Sequence, residues 1–308
     1  MGRSCGHAAP VEPESSACGG SDRGHSERSA RATASPSRRV LTEVGLSDGP
    51  LELFEHELDR SLRARRAFWN RHLAPTDILA LARRAYAEGN RDEAMWRSFL
   101  AAHFGRTSSD SRIQAESASR LLCAFASEPV WTWAVVIAEP GSMQTWLCDN
   151  ANSVRSLSFG NYRKFASNKN PLLMWSVLES FIRLARSRGS PAGLLDFAPA
   201  AKTPGARFDV LFQDFCRILR FDRTGGFDFA DLVGALGFLD AAPESCYLKG
   251  STGPLRGARL LWPNRSIGEL ERLAVELARK LKVDVGILED TLCNWQKQIP
   301  KGLLGAES

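Results

Sequence analysis

Apolar residues recur at helical spacing along most of the chain after about residue 45. Leu51, Phe54, Leu58 and Leu62 lie three or four positions apart and so share one helix face. Hardly any segment alternates with the period of two that half-buried strands show. The same spacing predicts helices at 76–88, 90–104, 110–127, 130–138, 141–150, 171–188, 206–220, 228–238, 254–262 and 266–281, with a last one after Asp284. The pattern predicts an all-α fold.

Helix start signals support this prediction. Asn90 with Glu93, and Ser266 with Glu269, have the spacing of a capping box, in which each side chain satisfies a free backbone N–H of the first turn. Asp284 can cap the last helix in the simpler way.

The hydrophobic pattern also predicts the domain boundaries. Residues 1–45 are rich in Gly, Ser, Ala, Pro and Arg and have almost no large apolar residue before Val40, so we expect a disordered tail. Residues 46–308 then form one helical domain. A subdomain break is expected near 189–205, where three prolines and three glycines interrupt the periodicity.

Composition narrows the classes of function. The net charge of +5 permits nucleic acid as a partner without requiring it. No run of about 18 apolar residues is present, so we expect no membrane span. Seven scattered cysteines form neither a C-x-x-C pair nor a Cys/His cluster at zinc spacing, which favours a reduced, cytoplasmic protein with no metal site. All five histidines precede residue 104, so acid–base chemistry in the C-terminal half would need carboxylates or lysines.

A glycine-rich turn between two short apolar segments is the most informative motif. It reads YLKGSTGPLRGARLL over residues 247–261. Glycines allow a tight turn and a close approach of backbone N–H groups to an external anion, and a helix N-terminus attracts phosphate. We predict phosphate contacts at Lys249, Gly250, Thr252, Gly253, Arg256 and Arg259. An ordinary helix-to-helix turn is the alternative.

Two further clusters mix aromatic and charged residues. FGNYRKFAS, residues 159–167, offers rings for base stacking and Arg163 and Lys164 for phosphate, although the rings can equally be core and the charges a solvated face. RFDRTGGFDF, residues 220–229, is expected to join two helices through a tight Gly225–Gly226 turn, with Asp228 as a helix cap and Arg223 as its partner.

The last helix carries LEDTLCNWQK, residues 288–297. Adjacent helical positions project about 100° apart, so only one of Glu289 and Asp290 should face an interior site. Asp290 shares its face with Cys293 and Lys297, and we therefore favour Asp290 as the buried, functional carboxylate, near Arg163 or Arg223. A surface ion pair is the alternative, and Cys293 is more simply a small core residue.

These motifs, in this order, resemble the third clade of the alpha-glutamyl/putrescinyl thymine pyrophosphorylases. A GP-x-x-GA hairpin followed by ED-x-LCNWQ is the more specific part. The resemblance implies a fold similar to helix-hairpin-helix DNA glycosylases, in which the hairpin grips the DNA backbone and a base is flipped into a pocket. It also implies that an amine such as glutamate or putrescine displaces pyrophosphate from a pyrophosphorylated 5-hydroxymethyl base.

Carboxylates with Arg or Lys would suffice for such chemistry, so no cofactor is expected. The catalytic candidates are Asp290, Glu289, Arg223 and Lys297. The sequence departs from the glycosylase pattern because two residues, Ser251 and Thr252, separate the hairpin glycines and no Val-Asp-Thr-His motif follows. Asp284 therefore stays a third candidate carboxylate. Three functions remain open: base hypermodification, DNA binding without chemistry, and base excision.

Overall fold

A computed structural model of the protein describes residues 36–70, 76–105, 112–160, 169–197 and 201–299. These residues form fifteen α-helices and one short 3₁₀ helix, Ala124–Ala126, and within them there is no β-strand. The helices are α1 (Pro36–Glu43), α2 (Asp48–Asn70), α3 (Ile78–Ala87), α4 (Arg91–Phe104), α5 (Arg112–Leu122), α6 (Trp133–Ala138), α7 (Pro140–Asp149), α8 (Ala151–Arg155), α9 (Pro171–Ser187), α10 (Pro191–Phe197), α11 (Pro204–Phe215), α12 (Asp222–Ala235), α13 (Gly253–Leu261), α14 (Ile267–Leu281) and α15 (Val285–Gln298). The all-α prediction is confirmed.

The predicted helix starts are largely present. The Ser266 hydroxyl accepts the Glu269 N–H while the Glu269 carboxylate accepts the Ser266 N–H, so the capping box of α14 is complete. Asn90 accepts the Glu93 N–H at 3.2 Å and begins α4, but the Glu93 carboxylate binds Arg97 and the Trp133 N–H, so the capping box predicted there is only half formed. Asp284 occupies the cap position of α15, but its side chain makes no capping hydrogen bond there.

Aromatic rings fill the larger of two hydrophobic cores. This central core is built from residues 78–241 and runs from α3 to the end of α12. The Phe99 ring stacks on Phe181 with centroids 4.0 Å apart, and Phe215 stacks on Phe229 at the same distance. Offset stacking and the large area of each ring make such contacts a strong source of cohesion.

The two ends of the described chain build a second, terminal core. Its buried residues lie in α1 and α2 and again from Cys246 to Ile299. Trp295 of α15 is fully buried, meets the Phe54 ring of α2 edge-on at 5.2 Å, and donates its indole N–H to the Pro50 carbonyl at 3.0 Å. The described chain thus contributes to this core in its first two helices and again from Cys246 onward, just before the glycine-rich turn begins.

Two boundaries differ from the sequence prediction. The expected tail of residues 1–45 ends too late, because Pro36–Glu43 is helical and Leu41 is fully buried in the terminal core; residues 1–35 lie outside the described part. Leu41 is one of the few apolar residues in a polar stretch, so composition averaged over the stretch concealed it. The cores also do not divide at 189–205, since Leu194 and Leu195 of α10 belong to the central core.

The expected turn at Gly225–Gly226 is wrong. Both glycines lie buried inside α12. A Cβ on Gly226 would come within 2.6 Å of the Cys216 Sγ, so the glycine there allows close packing of α12 on the preceding segment. Glycine serves tight packing as well as turns, and sequence alone does not separate the two.

Among the described helices, none combines the length and apolar character needed to cross a bilayer.

Candidate functional site

Two arginine–carboxylate ion pairs lie where the central and terminal cores meet. Arg65 of α2 binds both carboxylate oxygens of Asp231 on α12, with Nη2 and Oδ1 2.7 Å apart. Arg223 of α12 donates from Nη1 to Oε1 of Glu289 on α15 at 2.5 Å. Helix α12 belongs to the central core, whereas α2 and α15 belong to the terminal core. The ion pairs therefore join the two cores.

The Arg223 guanidinium binds three groups at once. Besides Glu289, it donates from Nε to the Tyr247 carbonyl at 3.0 Å and from Nη2 to the Cys246 carbonyl at 2.5 Å. Its Cζ lies 4.8 Å from the centre of the Phe227 ring. Arg223 thus connects α12, α15 and the segment just before the glycine-rich turn. Asp228 does not cap a helix as expected, because it lies inside α12.

Glu289 is a buried carboxylate with a perturbed acidity. Burial is the largest effect and raises the pKa of its carboxyl to about 7, with Asp228 and Asp290 acting in the same direction. Arg223 opposes this rise but does not cancel it. A group that titrates near neutrality can exchange a proton at physiological pH.

The expected split between the adjacent carboxylates is present, but with the members exchanged. Glu289 is the buried one beside Arg223. Asp290 is half-buried and accepts hydrogen bonds from Ser61 of α2 at 2.6 Å and from Asn294 at 2.8 Å. Because adjacent helical positions point about 100° apart, only one of the two carboxylates can face α12. Which one does so depends on how α15 packs on α12, and the spacing of residues in the sequence does not determine this. Asp284 is exposed.

Cys293 and Lys297 occupy different environments on α15. Lys297 is exposed and donates to Asn294 Oδ1 at 2.9 Å, which links it through Asn294 to Asp290. Burial, together with Glu289, raises the pKa of the Cys293 thiol to about 11. The thiol therefore stays protonated near neutral pH and is a poor nucleophile, in agreement with its interpretation as a packing residue.

The glycine-rich turn presents basic side chains to solvent. Lys249, Gly250, Thr252, Arg256 and Arg259 are all exposed. Gly250 has φ +79°, a left-handed conformation that favours glycine. The buried Ser251 hydroxyl donates to the Leu248 carbonyl at 2.9 Å and accepts the Leu255 N–H at 3.2 Å, so it fixes the start of α13. Exposed charges at a helix N-terminus fit an anion.

A side chain on Gly253 would point toward α15. A Cβ there would lie 2.7 Å from the Cys293 Sγ, and one on Gly257 would lie 2.5 Å from the Leu292 carbonyl oxygen. Both glycines therefore let α13 pack directly on α15. Gly257 and Gly253 thus serve the same close packing.

The aromatic and basic cluster at 159–167 is described only at its start. Arg163 and Lys164 lie outside the described residues. Phe159 stacks on Phe104 with ring centroids 4.6 Å apart and packs against the central core. For the Phe159 ring, core packing is therefore the correct one of the two interpretations, and base stacking is not.

Sequence reasoning missed several residues of the junction. These are Ser61 and Arg65 of α2, Asp231 of α12 and Glu271 of α14. Arg65 and Asp231 are 166 positions apart, and a lone charged residue on a helix carries no signal of a distant partner. Glu271 accepts N–H groups from Cys246 at 3.1 Å and from Leu248, so it holds the turn from the side opposite to Arg223.

A groove of about 940 Å³ lies elsewhere, on α6 and α7 of the central core. Trp131, Trp146, Glu139 and Asp149 are among its lining residues, and it contains none of the predicted site residues. No cluster of three or more potential metal ligands occurs in the described ranges.

Replacing Gly257 with alanine should destabilise the protein by about 1–3 kcal/mol, because the new Cβ meets backbone of α15 that cannot move aside. Gly268→Ala is the matched control. No atom lies within 4 Å of its Cβ position in α14, so the higher helix propensity of alanine should leave stability unchanged or raise it by up to about 1 kcal/mol. Urea denaturation of both variants measures the difference. Equal effects would show that α13 does not pack on α15 at this point.

Glu289 should make stability depend on pH. Its folded pKa of about 7 lies above the ordinary 4.5, so its contribution to stability is complete below pH 4.5 and is lost as pH rises through 7. The stability of Glu289→Gln relative to the wild type should therefore rise by on the order of 3 kcal/mol between pH 4.5 and pH 7, since each pKa unit corresponds to about 1.4 kcal/mol. Chemical denaturation at several pH values checks this, with the exposed Glu276→Gln as control. If the stability of Glu289→Gln relative to the wild type instead falls as the pH rises, the ion pair with Arg223 outweighs the effect of burial on the pKa of Glu289.

Comparison of the sequence with known protein families gives a match. The family model described as alpha-glutamyl/putrescinyl thymine pyrophosphorylase clade 3 matches residues 61–303. No curated protein and no solved structure matches the chain. The match spans α2 from Ser61 onward, both ion pairs and the whole glycine-rich turn, which covers well over half of the sequence. The chain therefore belongs to the alpha-glutamyl/putrescinyl thymine pyrophosphorylase family, clade 3.

Proposed function

We propose that this protein acts on DNA and transfers an amine to a pyrophosphorylated 5-hydroxymethyl pyrimidine base, with release of pyrophosphate. The family name denotes a pyrophosphorylase of glutamyl or putrescinyl thymine. The observation that carries the proposal is the position of Arg223, whose guanidinium binds both the Glu289 carboxylate and the two carbonyls before the turn. A proton-exchanging carboxylate and a candidate DNA-binding turn thus lie one side chain apart.

The turn and α13 would hold the DNA backbone. Their exposed Lys249, Arg256 and Arg259 supply positive charge, and the N-terminus of α13 adds its partial positive charge. Lys297 is exposed on α15, whose Cys293 touches Gly253 at the start of α13. Contacts of this kind recognise phosphate and not base sequence. Pyrophosphate, as a second anion, would suit the same surroundings.

Glu289 is the residue we propose as the general base. An alkyl amine is protonated in water near neutral pH and has no lone pair in that form, so it must first give one proton to the carboxylate. The free amine then attacks the methylene carbon on ring position 5, the C–N bond forms as the C–O bond to pyrophosphate breaks, and the products are a secondary ammonium and pyrophosphate. Glu289 suits this step because its pKa of about 7 makes it a stronger base than an ordinary carboxylate. Arg223 uses Oε1, so Oε2 is the oxygen for the proton.

The two-core architecture is compatible with base flipping. We propose that the fold is similar to that of helix-hairpin-helix DNA glycosylases, in which a base leaves the duplex and enters a pocket between helical parts. The ion-paired junction between the central and terminal cores is the corresponding place in this protein. Asp290, half-buried and bound to Ser61 at the same junction, would then orient the substrate.

A DNA-binding module without chemistry is the second candidate function. One observation favours it: Glu289 is only 9% exposed and is ion-paired, and all three Arg223 nitrogens are bonded to protein groups. An enzyme would need substrate binding to open a path to Glu289. A DNA-binding module without chemistry would need only the exposed turn to contact DNA.

Lys249→Ala and Arg256→Ala should each weaken DNA binding equally on unrelated duplexes, because both side chains would contact phosphate. Each loss should lower the slope of log affinity against log salt by about 1. Filter binding at several salt concentrations measures this. Arg183→Ala, an exposed arginine on α9 of the central core, is the control. If the control loses as much affinity as the turn variants, the turn is not the binding site.

Incubation with DNA containing pyrophosphorylated 5-hydroxymethyluracil and an amine tests the chemistry. Amine-dependent pyrophosphate release is expected, and Glu289→Gln should slow it at least about 100-fold with little change in DNA affinity. Asp290→Asn is the comparison and should slow it less. An abasic site as product would instead indicate a base-excising glycosylase. Binding without any product would leave the module as the function.

A further inference from the structure

The segment 246–248 has an unusual backbone that precedes the turn directly. Tyr247 has φ +49°, in the left-handed region that residues other than glycine seldom adopt. Such a conformation persists only where surrounding contacts enforce it. Here the contacts come from three directions, and each involves a different helix.

Two oppositely charged side chains hold the peptide groups of this segment. Glu271 of α14 accepts the N–H groups of Cys246 and Leu248, the first at 3.1 Å. Arg223 of α12 donates to the carbonyls of Cys246 and Tyr247. The carboxylate thus takes two of the three N–H groups of this segment, and the guanidinium takes two of its three carbonyls.

The Tyr247 side chain provides the third support. Its ring packs on Phe212 with centroids 4.7 Å apart and also on Phe208 and Phe227, and its hydroxyl donates to the Asp209 carboxylate. Tyr247 is therefore anchored in the central core, while the turn that follows it belongs to the terminal core. The conformation at Tyr247 sets the direction in which the turn leaves the central core.

We infer that Glu271 and Arg223 are positioning residues that clamp residues 246–248 and so set the orientation of the DNA-contacting turn relative to Glu289. For Arg223 this positioning role differs from the catalytic role expected from the sequence, since three of its five N–H groups hold protein groups in place. For Glu271 it is a new role. The part that concerns DNA rests on the function proposed above, whereas the clamp itself does not.

Glu271→Gln tests the clamp, because electrostatics and the clamp predict changes of opposite sign in DNA affinity. The glutamine keeps the size of the side chain but has one acceptor oxygen, so only one of the two N–H groups keeps its partner. Removing a negative charge near the turn should by electrostatics alone strengthen DNA binding. The clamp predicts the opposite, a loss of affinity of about tenfold, because the turn is no longer held in its binding geometry.

Glu276→Gln is the matched control. It removes the same charge from the same helix, at a side chain that is 40% exposed and pairs with Arg272 and Lys280 on the helix surface. Its DNA affinity should stay the same or rise. Arg223→Lys is the second variant. It keeps the charge but not the planar fork, so a loss of affinity there cannot be electrostatic either.

Amide hydrogen exchange in the absence of DNA separates the clamp from the proposed function. In Glu271→Gln, exchange at Cys246 and Leu248 should quicken about tenfold or more, while amides within α9 stay unchanged. Unchanged exchange at both residues would overturn the clamp. Faster exchange with affinity that rises as in Glu276→Gln would overturn the positioning role. If the wild type binds no DNA, the proposed function fails and the exchange result alone decides the clamp.

Discussion

The buried ion pair between Arg223 and Glu289 is the interaction on which the arrangement of the site depends. Moving two charges out of water costs several kcal/mol each, so such a pair adds little net stability compared with apolar residues. Its effect lies in geometry, because removal of one partner leaves an unpaired buried charge at a cost of about 3–5 kcal/mol. The central and terminal cores can therefore meet only where Arg223 reaches Glu289 and the Cys246 and Tyr247 carbonyls together. Hydrophobic contact, which has no preferred direction, could not impose this register.

Close packing of α13 on α15 places the turn at the same point from the other side. Gly253 and Gly257 bring the backbone of α13 against Cys293 and Leu292, and any side chain there would hold the helices apart. The exposed face of the same short helix carries Arg256 and Arg259, and the exposed Lys249 lies in the turn just before it. One face of α13 is thus fixed by packing and the other is available for charge. This explains why the motif contains both glycines and arginines.

Much of the fold follows from local sequence signals, whereas the site depends on contacts between distant segments. The capping box at Ser266 and Glu269, the helical period and the exposed charges of the turn were predicted correctly, because each is decided within a few residues. The relative burial of Glu289 and Asp290 was predicted in the wrong order, since it depends on the side of α15 that α12 covers. Gly225 and Gly226 were taken for a turn because glycine serves turns and tight packing equally well. The pairing of Arg65 with Asp231 had no local signal at all.

Whether Glu289 acts chemically depends on a balance between burial and access. The burial that raises its pKa to about 7, and so makes it a better base, also leaves it 9% exposed. A carboxylate held open to water would be reachable but would titrate near its ordinary value and bind a proton weakly at neutral pH. Under the proposed function, binding energy from the DNA backbone at the turn would open a path to Glu289, because Arg223 joins the turn to that carboxylate. In this view the ion pair keeps the base closed off and correctly oriented until substrate is bound, and catalysis and DNA binding share one structural element.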